Sequence, residues 1–402
     1  MKTTQHSGSI TFAKGFLAQG VSCGLKKTDK SDLAIIYSEA PATVAGVFTQ
    51  NQIKAAPVLL TAKRVAMGSA RAIVVNSGNA NSCTGKRGMM DAEKMCNLVG
   101  HHLGLPDKEV LVASTGVIGR YMPMDKIAKG VEAASRSLTV EGGEEAARAI
   151  CTTDTFVKEF SMTITLDGKS VRLGGMAKGA GMIHPNMATL LTFITTDAAV
   201  DPAALKKMIA VAVDKSFHCI TVDGDCSTND MVLVMANGRA GNRPIKGPVG
   251  DGLKLQDALI VVCQELARRV VLDGEGATKF IQVKVMGAEN FVAAREAAMA
   301  ICKSSLFKTA MFGMDANWGR ILCALGNAPI KINPEKIDVS FGGLKVAKGG
   351  CAVEFSEAKA LGLLKRKEVE VEINLNAGKA EATVFTSDLS YDYVKINASY
   401  RT

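Results

Sequence analysis

Of the 402 residues only 5% are aromatic, and Trp318 is the single tryptophan. That scarcity argues against a platform for single-stranded nucleic acid, which stacks bases on exposed rings along a basic groove. Basic residues exceed acidic ones by nine (48 − 39), but the doublets Lys26-Lys27, Lys86-Arg87, Lys206-Lys207 and Arg268-Arg269 are scattered. Neither a nucleic acid nor a membrane is expected as partner, because each needs charge concentrated in one place. No two of the ten cysteines form a C-x-x-C pair. His101 and His102 are neighbours that cannot share a helix face, and His6, His184 and His218 stand alone. A disulfide framework and structural zinc are both unexpected, and no metal site is assigned. No stretch approaches the ~18 apolar residues of a membrane span, and the N-terminal segment lacks the apolar run of a signal peptide. The expectation is a soluble chain in a reducing cytoplasm.

Several familiar motifs also fail. Gly78 to Gly85-Lys86-Arg87 resembles a phosphate loop, but six residues separate the glycines where four are needed, and Arg87 stands where a hydroxyl should be. Asp223-Gly-Asp225-Cys-Ser227 starts like a calcium loop. It has Thr228 where that loop needs glycine and Val234 where it needs a bidentate acid, so it reads as a polar turn. No G-x-G-x-x-G opens a helix after a strand, and no G-x-S-x-G elbow is found. No cofactor is implied.

What is present is ordinary globular composition, with 47% hydrophobic and 22% charged residues, in a chain long enough for two or three domains. Short β-branched runs alternate with helical patterns. Residues 33–37, 72–75 and 110–113 read as buried strands, and Asp91 to Leu103 as a helix. Asp125 to Leu138 reads as another, capped by Asp125 and ended by Gly142-Gly143. Pro202 opens a helix through Val213, Met231 to Met235 is a strand, and Leu253 to Arg269 is a helix. From about Ile337 strands dominate, and Val369 to Ile373 alternates with period two. The pattern predicts an α+β chain of layered sheets and helices.

The segment with the most unusual chemistry runs from Leu173 to Asp197. Gly174, Gly175, Gly179 and Gly181 surround Lys178, Pro185-Asn186 reads as a turn, and an apolar run begins at Leu190. Thr189 sits at the seam between a flexible glycine-rich approach and a buried strand. Its hydroxyl is a weak nucleophile unless a base lies beside it, and a threonine that begins a chain carries that base as its own α-amine. A free α-amine titrates near ~7.7–8.0, suited to neutral pH. Reaching that state inside a chain requires breaking the Ala188–Thr189 bond.

The run Met-Ala-Lys178-Gly-Ala-Gly-Met-Ile-His-Pro-Asn-Met-Ala-Thr189-Leu-Leu resembles the self-cleavage signature of the ornithine acetyltransferase (glutamate N-acetyltransferase) family of arginine biosynthesis. Val75 to Asn81, Ala113 to Gly119, Thr152 to Asp154, Asp273 to Lys279, Asp315 to Arg320 and Ile396 to Thr402 are similar to further stretches of that family. The resemblance implies a layered α/β sandwich with a smaller C-terminal α/β unit over about 280–402. It implies a cut into chains 1–188 and 189–402 that stay associated, two copies of each. Thr189 would take the acetyl group from N-acetylornithine and pass it to glutamate. Thr115 and Gly116 would hold the oxyanion, and Lys178, Glu275, Asn397, Thr402 and either Thr152 or Thr153 would bind substrate. The family leaves open whether acetyl-CoA is a second acetyl donor. Two rivals stand beside this expectation: a hydrolase with the same threonine device, and an uncut binding protein for acidic amino acids. Asn79, Asn81, Trp318 and Arg320 carry no assigned role beyond packing and turns.

Overall fold

A computed structural model of the chain describes residues 4–6, 9–27, 29–184 and 190–399. Ala188, Thr189 and Thr402, on which cleavage, nucleophile and a terminal substrate contact are expected, lie outside the described residues, as does Pro185-Asn186. The first strands in chain order are β1 (Thr4–His6), β2 (Phe16–Val21), β3 (Leu33–Phe48), β4 (Ser69–Asn79), β5 (Val110–Val117), β6 (Lys158–Leu166), β7 (Lys169–Lys178) and β8 (Leu191–Thr196). They are followed by β9 (Ile220–Thr221) and β10 (Met231–Ala236). All but β9 form one sheet in the order β1-β6-β7-β8-β10-β3-β4-β5, with β2 beside β3.

The middle of this sheet explains the unbroken apolar runs in the sequence. In β10, Val232 and Val234 face a layer formed by the helices Pro202–Asp214 and Asp251–Leu272. Met231, Leu233 and Met235 face the other way, onto Ile10, Phe16 and the helix Gly143–Ile150. A strand covered on both faces has no polar side to show, so alternation disappears. Each such side chain contributes about 1.5–3 kcal/mol by leaving water. At the β3–β5 end the helices Gly85–Leu103 and Met124–Arg136 cover Leu33, Val74, Val110 and Val112.

A second sheet contains β11 (Phe280–Ala288), β12 (Asp338–Phe341), β13 (Leu344–Lys348), β14 (Cys351–Ala352), β15 (Glu368–Asn374) and β16 (Ala380–Ser387). Its order is β14-β13-β12-β15-β11-β16-β9. The expected smaller unit over about 280–402 therefore holds all of this sheet except β9, whose Ile220 and Thr221 pair with Phe385 and Thr386. That pairing brings the chain segment between β8 and β10 to the edge of the second sheet. Among the described residues no helix is long and apolar enough to cross a membrane.

Several local expectations are corrected. The helix expected from Asp91 starts at Gly85. Pro123 occupies the cap position of the next helix, so Asp125 lies within its first turn and caps nothing. Gly142-Gly143 does not end that helix; a separate one, Gly143–Ile150, begins there and buries Ala146, Ala147, Ala149 and Ile150. The glycine-rich approach is not flexible where Gly174 and Gly175 lie, because both are buried inside β7 between β6 and β8. The strand expected over 110–113 runs on to Val117, so Thr115 and Gly116 belong to β5 itself.

Candidate functional site

The cross-strand register sets the position of the seam. Lys178, the last residue of β7, pairs with Leu191 at the head of β8, and Leu191 pairs with Met231 at the head of β10. The chain between Lys178 and Leu191, which contains Thr189, therefore leaves and re-enters the sheet at one end. At that end lies a cavity of about 300 Å³. Thr115, Gly116, Thr152, Thr153, Lys178, Glu275 and Asn397 all line it, so the structure brings together every described residue that the sequence named. Thr152 and Thr153 both reach it, and the choice between them stays open.

One wall is the end of β5. The pairing of β4 with β5 becomes irregular at Gly78 and Asn79, a bulge opposite Thr115 and Gly116. Bulges re-aim side chains and interrupt the ladder, and here the interruption faces the cavity. Gly116 has φ 130°, and a Cβ on it would stand 2.3 Å from the Gly78 carbonyl carbon, so only glycine fits. The Lys178 ammonium donates to Thr115 Oγ1 at 3.3 Å. Among the described residues the Thr115 hydroxyl hydrogen has no acceptor of its own, which leaves it to point at an incoming oxygen. Behind this corner the Asn229 amide donates to the carbonyls of Ala80 (2.6 Å) and Ser114 (2.8 Å), and Ser114 Oγ donates to Asn76 Oδ1 (2.6 Å). Asn79 donates to the Tyr121 carbonyl at 3.1 Å, so turn chemistry accounts for it.

Beneath the lining residues Thr152 and Lys178 lies a floor of buried ionic groups that do not themselves reach the cavity. The Lys158 ammonium, with no exposed surface, donates to Asp154 Oδ1 at 2.6 Å and to Asp273. Asp154 also accepts the backbone N–H of Gly179 (2.7 Å) and of Thr152 (2.8 Å). Asp273 accepts the N–H and hydroxyl of Thr155. One cation thus ties together the Thr152-Thr153 turn, the residue after Lys178 and the loop that carries Glu275. Burial pushes the Asp154 carboxyl up, but the charges of Lys158 and Lys178 outweigh it and hold Asp154 far below the usual carboxylate range. Burial lowers Lys158, and its two carboxylate partners more than restore it, so it stays an ammonium.

The opposite wall comes from the second half of the chain. The Glu275 N–H donates to the Ala180 carbonyl at 2.9 Å, and the Glu275 carboxylate lies so close to Gly181 that a Cβ there would be 2.2 Å from Oε2. Asn397 Nδ2 donates to Glu275 Oε2 at 2.9 Å. The helix Tyr391–Ser399 presents Tyr393 and Asn397 on one face, four residues apart. Asn397 thus reaches the cavity from a helix that lies on the surface, with none of its residues buried.

Sequence reasoning did not name Tyr393, Asp223, Ser227 or Asn229 as lining residues. Asp223 accepts the N–H groups of Met182 (2.6 Å) and Ile183 (2.8 Å) and the Tyr393 hydroxyl (3.3 Å), which fixes the backbone beyond Gly181. Burial raises the Asp223 carboxyl, and those N–H groups oppose the rise. The available signal was the polar run from Asp223 to Asp230 between two apolar strands, which read only as a turn. Among the described residues no group of His, Cys, Asp or Glu is arranged to hold a metal ion. The cavity offers the Thr115–Gly116 corner, one cation in Lys178, and the carboxylates of Glu275, Asp223 and Asp225, a set suited to a small molecule bearing both charges.

The ArgJ family model matches residues 17–402. The chain is similar to the arginine biosynthesis bifunctional protein ArgJ of Symbiobacterium thermophilum, 50% identical over 98% of this chain and 99% of the relative. It is 49% identical to the protein of the same name from Caldanaerobacter subterraneus, over 98% of this chain and 99% of that one. Among solved structures it resembles the arginine biosynthesis bifunctional protein argJ of Bacillus halodurans. There the identity is 42% and the TM-score 0.50, over 52% of this chain and 98% of that one.

Proposed function

The chain belongs to the ArgJ family, and from that premise we propose that it carries the acetyl group of N-acetylornithine to glutamate through Thr189. The observation that carries the proposal is the convergence of Thr115, Gly116, Thr152, Thr153, Lys178, Glu275 and Asn397 on one cavity at the seam that contains Thr189. In this mechanism the Thr189 hydroxyl first attacks the Ala188 carbonyl, and water opens the resulting ester. The free α-amine of Thr189 then serves as base for its own hydroxyl. The hydroxyl attacks the acetyl carbonyl, and the Thr115 hydroxyl and Gly116 N–H stabilise the tetrahedral oxyanion. Lys178 pairs with the substrate carboxylate and Glu275 faces its amino end. Ornithine leaves, glutamate enters the same cavity, and its amine takes the acetyl group in a ping-pong cycle.

The register supports two chains, 1–188 and 189–402, that stay associated after the cut; two copies of each is the assembly proposed from the family resemblance. Six paired positions join β7 to β8 across the cut, from Leu173–Thr196 to Lys178–Leu191, so cleavage leaves the strands laddered in the middle of one sheet. A transferase makes acetylglutamate and ornithine in equal amounts when acetylornithine and glutamate are both supplied. A hydrolase would release acetate at one rate with or without glutamate, and that result would replace this function. Acetylglutamate formed from acetyl-CoA and glutamate alone assigns acetyl-CoA as a second donor.

A further inference from the structure

A second cavity lies against the first, and its charge balance is reversed. The first holds the carboxylates of Glu275, Asp223 and Asp225 and one cation, Lys178. Its neighbour is a trough of about 820 Å³, lined by Lys26, Lys27, Lys30 and Arg120 and by no acid. The Lys26-Lys27 doublet, isolated in the sequence, is joined by Arg120 only in the fold. Lys27, Lys30 and Arg120 make no ion pair and no side-chain hydrogen bond among the described residues. Asp29 is exposed and does not line the trough. Asp32 is buried and accepts the N–H groups of Cys23 (2.7 Å), Leu25 (2.6 Å) and Lys26 (3.0 Å). The Lys26 ammonium donates to the Ser31 carbonyl at 2.7 Å, so the loop that carries the lysines is braced from inside.

The partition between the two cavities is thin. Gly78 lines the trough, and Gly116 of the first cavity packs against it so closely that a Cβ on Gly116 would be 2.7 Å from the Gly78 Cα. A Cβ on Gly78, which has φ 101°, would stand 3.4 Å from the Leu25 carbonyl carbon. β5 borders both spaces, with Thr115 and Gly116 lining the first and Val117 the second. Thr152 lines both, so the two cavities meet at that residue.

We propose that the trough is a binding site for a small ligand that carries clustered phosphates. Four cations on one concave surface focus a positive potential there. The forked Arg120 guanidinium can take two phosphate oxygens at once, and the lysines act as point charges. No aromatic ring lines the trough to stack a base, so the phosphates are what it recognises. Two sources share this chemistry. One is the phosphorylated end of a nucleotide-bearing acyl carrier, whose arm passes Thr152 to the Thr115–Gly116 corner; the other is a free phosphorylated compound. Use by an acyl carrier rests on the acetyl-transfer reading, whereas the trough itself does not.

The test is calorimetric titration of the purified full-length protein with two probes, coenzyme A and inorganic triphosphate. Both are expected to bind at low salt and to weaken as salt rises. A triple variant, Lys27→Gln, Lys30→Gln and Arg120→Gln, alters exposed side chains only. It should lose at least ~10-fold in affinity, the worth of one charge-assisted hydrogen bond, while acetyl exchange between acetylornithine and glutamate keeps the parent rate. A larger loss for coenzyme A, with coenzyme A competing against acetylornithine in the exchange, supports the trough and assigns it to the acyl carrier. An equal loss for both probes without competition supports it and assigns a free phosphorylated compound. A parent that binds neither probe, or a triple variant that binds both as the parent does, would overturn the proposal. A parent without exchange activity whose probe binding still depends on the three cations would instead refute acetyl transfer and leave the trough standing.

Discussion

The floor and the seam of the cavity both contain a fully buried aspartate, and the two behave oppositely. On the floor, Asp154 has Lys158 and the N–H groups of Gly179 and Thr152 as donors, and it keeps its charge. At the seam, Asp230 has an oxygen with no donor among the described residues, and burial drives its carboxyl well above its ordinary range. Both side chains are buried, and the ion pair with Lys158 sets them apart. A satisfied cluster builds shape, whereas a group left incomplete has capacity for a reaction. The same contrast holds for Thr115, whose hydroxyl oxygen is occupied by Lys178 while its hydrogen remains available.

The contrast is broken most severely on the floor. Lys158→Met leaves Asp154 and Asp273 as buried, uncompensated carboxylates and should cost about 3–5 kcal/mol, read as a lowered midpoint in chemical denaturation. At the seam the loss should be in rate instead. Thr115→Val removes one oxyanion donor and should lower kcat by about 10²–10³-fold with the denaturation midpoint nearly unchanged, while Thr115→Ser keeps most of the rate.

The pH dependence sharpens the comparison because the two aspartates have opposite signs. Asp154 has a folded pKa below its unfolded value near ~3.9, so its contribution is present above about pH 4 and disappears as pH falls through the folded value. Asp230 is raised, so its contribution is present below its unfolded value and lost as pH rises through the folded one. Asp230→Asn should therefore gain stability relative to wild type as pH rises above about 4, measured by denaturant midpoints from about pH 4 to 9. The smallest effect is expected at the rim. Asn397→Ala removes a bond to Glu275 and should raise KM for acetylornithine by roughly fivefold, about 1 kcal/mol, with kcat nearly constant.

Much of this was legible in the sequence. Apolar runs such as Met231 to Met235 announced strands covered on both faces, and the site residues named from family resemblance that fall within the described chain meet at one cavity. The floor was not legible, because Lys158, Asp154 and Asp273 are 115 residues apart at their widest pairing and come together only through the β6–β7 hairpin and the loop before β11. Asp230 was hidden for a different reason. In a run of Asp, Ser, Thr and Asn nothing distinguishes the one carboxyl whose oxygen finds no donor, since that depends on the register that sets Leu190 beside it. Helix limits failed where local cues conflicted with packing. Gly142-Gly143 reads as a stop, but the alanine face that follows has a sheet to bury against.

Self-cleavage at the seam is the claim on which the transfer mechanism depends. Denaturing mass spectrometry of purified, active protein addresses it directly. The account predicts two polypeptides, residues 1–188 and 189–402, the second beginning Thr-Leu-Leu. A single fully active chain of 42.3 kDa would contradict it.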